Sequence, residues 1–122
     1  MRSTSFHGSI ETGSPEIVEP ILRSWLSTDD LSMRPRRVWE THYETDDFEV
    51  LCYEASPQNP PNYFLLEGHI DGAVDAAVSR LHDLAEQCQN AKLEFSIDYE
   101  EVDAAGKPVE RGIHHQLIGR WT

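Results

Sequence analysis

The chain has 122 residues and a net charge of −12, from 22 acidic and 10 basic side chains. A field of that sign repels nucleic acid and anionic membrane surfaces and attracts cationic protein. An apolar fraction of 39% argues against a disordered acidic tail and for one globular domain with a real core. The charge is spread evenly: residues 1–62 carry 11 acids and 5 bases, and so do residues 63–122. No apolar run approaches the roughly 20 residues that span a bilayer. The opening Met1-Arg2-Ser3-Thr4-Ser5-Phe6-His7 has no apolar core of a signal peptide. Two cysteines, Cys52 and Cys88, are too few for a disulfide scaffold and read as buried thiols. These features point to the cytoplasm.

Residues 5–11 read as a first strand, with Phe6, Gly8 and Ile10 on one face and His7, Ser9 and Glu11 on the other. Ser14 and Pro15 suit an N-cap and first helical position. Ile17, Val18, Ile21, Leu22, Trp25 and Leu26 then follow at helical spacing. Pro20 forfeits the bond to the Glu16 carbonyl, which predicts a kink there or a later start near Glu19. Residues 27–35 read as a loop. Residues 36–45 and 48–55 are rich in β-branched and aromatic side chains and predict two strands joined at Thr45-Asp46-Asp47. Three prolines in residues 56–62 exclude helix and strand interior, so this stretch reads as a linker between halves 1–55 and 63–122.

The second half begins with an apolar strand over 63–70, and Asp71-Gly72 precede the clearest helix in the chain. Val74, Ala77, Val78, Leu81, Leu84, Ala85 and Cys88 make one continuous apolar stripe, ending near Asn90. Leu93, Phe95, Ile97 and Tyr99 then alternate with Glu94, Ser96, Asp98 and Glu100, the pattern of a half-buried strand. A turn around Gly106 leads to a last strand over 109–119. The order predicts an α+β domain. Two β-α-β-β halves form an antiparallel-rich sheet with both helices on one face, related to the ferredoxin-like arrangement.

Catalytic and metal motifs are missing from the sequence. The seven glycines are scattered, and Cys-x-x-Cys, His-Glu-x-x-His, Gly-x-Ser-x-Gly and EF-hand patterns do not occur. No catalytic residue, metal or cofactor is therefore expected. His7 and His69 occupy similar places, each beside a glycine in a strand that precedes a helix, and supply the one acid–base or metal pair worth weighing. The more informative feature is the face the helices leave uncovered. Trp39, Tyr43, Leu51 and Tyr53 are expected there beside Glu49, Glu94, Asp98 and Glu100, as aromatic anchors rimmed by steering acids.

Three functions follow. The leading one is a non-enzymatic module that binds a basic protein, such as an inhibitor or a bacterial immunity protein that neutralises a toxin. It needs neither nucleic acid nor membrane as a direct partner. The second is a small enzyme or ligand-binding domain with a cleft between the halves, near His7 and His69. The third is a subunit of a homodimer or larger homo-oligomer, paired through strand edges and the C-terminal Ile118-Gly119-Arg120-Trp121.

Overall fold

The computed structural model describes residues 3–12, 14–29, 31–35, 39–55, 63–72, 74–103, 105, 107 and 115–119. The linker at 56–62, the N-terminal part of the expected strand at 36–45 and most of the expected strand at 109–119 lie outside these. The elements are β1 (Ser3–Ile10), α1 (Pro15–Leu26), β2 (Arg34–Pro35), β3 (Trp39–Thr45), β4 (Phe48–Glu54), β5 (Phe64–Asp71), α2 (Val74–Asn90), β6 (Phe95–Val102) and β7 (His115–Gly119). All strands join one sheet in the order β2-β3-β4-β5-β1-β6-β7, every neighbouring pair antiparallel. Six are full strands, and β2 is a two-residue flank. Among the described residues no helix is long and apolar enough to cross a membrane.

The expected α+β class with an antiparallel sheet and two helices holds; the ferredoxin-like relation is not confirmed, and the number and order of strands differ from those expected. β5 and β6 both run antiparallel to β1, which lies between them, so β5-α2-β6 is a split β-α-β unit. The first half is wired differently. From β1 the chain passes through α1 to β2 at the sheet edge, beyond β5, β4 and β3, and β2, antiparallel to β3, runs parallel to β1. β3, β4 and β5 then return as an antiparallel meander towards β1.

Helix α1 starts at Ser14 as expected, but the Ser14 side chain caps nothing and instead donates to Glu16 Oε2 at 3.3 Å. The helix continues through Pro20, which is exposed, so water can serve the freed Glu16 carbonyl. Both helices end with a residue in the left-handed region, Ser27 (φ 51°) and Lys92 (φ 58°). Thr28 N–H reaches the Arg23 carbonyl and Leu93 N–H the Cys88 carbonyl, closing two Schellman ends without glycine. The stretch expected as loop at 27–35 is packed and pinned. Arg23 Nε donates to the Leu31 carbonyl at 2.7 Å, Glu19 accepts from Met33 N–H at 2.9 Å, and Glu19 and Arg23 pair at 3.0 Å. Leu31 and Met33 are buried in consequence.

The core fills the space between the two helices and one face of the sheet. Val18, Ile21 and Leu22 of α1 and Leu81, Leu84 and Cys88 of α2 meet Phe6, Ile10, Val50, Cys52, Phe64, Leu66, Phe95 and Ile97. An aromatic group ties the layers together. The Phe6 and Phe48 rings stack with centroids 6.1 Å apart, and the Trp25 ring sets its edge against both, at 6.2 and 5.3 Å. Trp25 Nε1 donates to the Arg80 carbonyl of α2 at 2.7 Å, and the Arg80 guanidinium lies 4.9 Å over Phe48. Gly68, paired with both Phe6 and Val50, leaves room for this ring. A Cβ there would meet the Glu49 carbonyl and lie 3.0 Å from Phe6 Cζ.

Two outcomes test this core. Phe6→Ala, which empties the centre of the aromatic group, is expected to cost about 3–5 kcal/mol in urea unfolding. Cys52 and Cys88 are free and buried, and burial pushes each thiol up to about 12, with the field of Cys88 adding to the shift at Cys52. Neither thiol should react with DTNB in the native protein at pH 8, and both should react in denaturant; rapid native labelling would contradict the packing described.

Candidate functional site

With both helices on one side, no described element covers the other face of the sheet, hereafter the bare face. The pleat sends alternate residues to it, and the register arranges them in rows that cross the strands. One row is Glu44, Glu49, His69, Ser5 and Glu100. The next is His42, Leu51, Glu67, His7, Asp98 and Gln116. A third places Glu40, Tyr53, Leu65, Ser9 and Ser96 in line. Among the described strand residues, the only Lys or Arg whose register puts it on this face is Arg34, at the edge opposite Glu40. Seven carboxylates share the face with it: those of Glu40, Glu44, Glu49, Glu67, Asp71, Asp98 and Glu100.

Three imidazoles are set among these acids. His42 Nε2 lies 2.9 Å from Glu49 Oε2, and His69 Nδ1 lies 3.6 Å from the other oxygen, Oε1. His7 Nε2 lies 3.5 Å from Asp98 Oδ2. A hollow of about 700 Å³ is lined by His7, His42, Glu49, Leu51, Glu67 and His69, with Ser3, Ser5 and Val102 closing one side. A smaller hollow of about 390 Å³ lies beside it, lined by Tyr53, Leu65, Glu67, Ser96 and Asp98. His7 and Glu67 border both.

Two groups on the face are electrostatically perturbed. The hydrogen bond with His42 is the main cause holding the Glu49 carboxyl below its ordinary 4.5. Partial desolvation opposes it, while the charges of His42 and His69 add to it. Desolvation first, and then the negative field of Glu67, push the Tyr53 hydroxyl up.

The site residues read from the sequence divide into three groups. Glu49, Tyr53, Asp98 and Glu100 stand on the bare face, as does Leu51. Glu94 is exposed just before β6, at the margin, where its carbonyl accepts from Glu11 N–H. Trp39 and Tyr43 are not on this face. Their strand positions match Thr41 and, across the pair, Cys52 and Val50, so both pack half-buried against the core on the helix side. The Tyr43 ring lies 6.5 Å from Phe48. The pair His7 and His69 is brought together on adjacent strands, two positions apart in register and on the same face. Missed were Glu67 at the centre and the grouping of His42 and Glu44 with Glu49. That grouping follows from counting back from a two-residue Asp46-Asp47 turn, which sets Glu44 opposite Glu49.

No protein-family model, no curated protein and no solved structure matches the chain.

Because Glu49 titrates below the ordinary range when folded, its contribution to stability is present above the unfolded carboxylate value and lost as pH falls through the folded one. In a carbon-detected NMR titration its midpoint should lie below 4.5, and His42→Ala should move it back up. A midpoint that His42→Ala leaves unchanged would remove His42 as the cause.

Proposed function

We propose that this chain is a non-enzymatic binding module whose bare sheet face seats a cationic protein, in the manner of an inhibitor or immunity protein that neutralises a basic toxin. The supporting observation is the one-sided face: among the described residues, carboxylates from β3, β4, β5 and β6 with a single arginine at its edge. Leu51, Tyr53 and Leu65 form a half-buried apolar strip in the midst of these acids. Such a surface offers anchor area within a steering field. Glu49, Tyr53, Glu67, Asp98 and Glu100 are the contacts on which the reading rests.

Enzymes that handle nucleic acid need cationic surfaces to hold phosphates. An acidic face meets such a surface with fast, salt-sensitive association, while the same sign of charge turns nucleic acid away. Two buried free thiols suit a reducing compartment, in keeping with action in the cytoplasm. A small-ligand site is the second reading, favoured by the convergence of three imidazoles on the larger hollow.

The experiment is affinity capture at low salt, followed by binding kinetics on the cationic protein obtained. Glu67→Lys and Asp98→Lys should each slow association roughly tenfold or more. Glu16→Lys, an equal charge change on the exposed side of α1, should have a much smaller effect. Equal losses from all three variants would mean that net charge acts and the face does not. Absence of any cationic partner at low salt would end this reading in favour of the second.

A further inference from the structure

We infer that His42, Glu44 and Glu49 form a binding site for one divalent transition-metal ion of the zinc class. The three side chains project from a tight hairpin: β3 and β4 are joined by Asp46-Asp47, with Thr45 paired to Phe48. Two steps back from the turn, Glu44 stands directly opposite Glu49 on the bare face. Like charges in directly paired cross-strand positions repel, and the described residues place no lysine or arginine between them. A bound cation turns that repulsion into attraction. His42 lies two residues before Glu44 on the same face and turns Nε2 towards Glu49 at 2.9 Å. One donor atom from each of the three side chains falls within 4.8 Å of the others. Metal–ligand bonds of about 2.0–2.2 Å need only small side-chain rotations from there.

The donor set selects the metal class. One imidazole nitrogen with two carboxylates suits zinc and its first-row neighbours, whereas calcium asks for six to eight oxygens and magnesium keeps most of its water. His42 ligates through Nε2, which requires the tautomer protonated at Nδ1, and the ion replaces the contact that Nε2 now makes with Glu49. His69 is a positioning residue. Its Nδ1 lies 3.6 Å from Glu49 Oε1, so a small rotation would let it hydrogen-bond the carboxylate from the far side, as outer partners of metal ligands do. The side chains of His42 and Glu49 remain 53% and 34% exposed, so an ion has a path from solvent and keeps water on its open side. This inference stands on the hairpin geometry and does not depend on the protein-binding reading.

The test is calorimetric titration of the chelator-treated full chain with Zn²⁺, and separately with Mg²⁺ and Ca²⁺. One saturable Zn²⁺ site is expected, at least tenfold weaker in His42→Ala, Glu44→Gln and Glu49→Gln. His69→Ala should weaken it roughly tenfold, and His82→Ala, on the exposed side of α2, should leave it unchanged. Paramagnetic Cu²⁺ added to the unaltered chain should broaden the His42 ring signals first, which tests the site even if a variant fails to fold. No saturable Zn²⁺ site, equal affinity for Ca²⁺, full binding by His42→Ala, or broadening centred away from His42 would each overturn the inference.

Discussion

The contact on which the rest of the architecture depends is the aromatic group of Phe6, Trp25 and Phe48. Phe6 belongs to central strand β1, Phe48 opens β4 and Trp25 comes from α1, while α2 joins through the Arg80 carbonyl and guanidinium. One cluster therefore locks both helices and two strands that are not sheet neighbours. Large rings interlock only at restricted distances and tilts. Once Trp25 is seated, α1 cannot move to the other face without giving up that packing. Both helices being committed to one side is what leaves the second side uncovered.

A bare sheet face needs polar side chains, and here the register decides how they meet. Because β1 and β5 are central and antiparallel, rows run from β3 across to β6 without interruption. Acids from both halves of the sequence are thus drawn into one field: Glu44 and Glu49 from the first half, Glu67, Asp98 and Glu100 from the second. Gly68 contributes from the opposite side. By admitting Phe6 on the core face, it keeps β5 close to β1 and β4, with His69 and Glu67 next to it on the bare face.

Those elements whose pattern has a single reading were legible in the sequence. The stripe of α2 has only one apolar face, and the alternation from Phe95 to Tyr99 has only one apolar row, so both were recognisable without neighbours. β3 has two plausible rows: Trp39, Thr41 and Tyr43 against Glu40, His42 and Glu44. The large aromatics could anchor a partner or plug a core, and nothing local decides between them. The decision comes from Val50 and Cys52, to which that row is paired, and from Phe48, against which Tyr43 packs. Leu31 and Met33 were hidden for a similar reason. Their burial depends on Glu19 and Arg23 pinning the loop, a contact between a helix face and a loop backbone that no periodicity reveals. The wiring of the first half was out of reach too, since hairpin and helix signals give the order of elements along the chain but not their order in the sheet.

The distribution of charge links these levels. A net charge of −12 on 122 residues works against compaction, and concentrating carboxylates on one face sharpens that cost. The fold tempers it without removing the charge: His42 and His69 flank Glu49, and His7 faces Asp98. These contacts are exposed and individually weak, worth far less than the aromatic packing on the other side of the sheet. In both proposals a cation would take the place of these contacts at little loss of stability, as a guanidinium from a docking protein or a metal ion on the β3–β4 hairpin. Strong, dry packing on one face holds the rows in register, and weak, wet contacts on the other leave them available. The same sheet is thereby fixed in register while its acidic rows stay open to solvent.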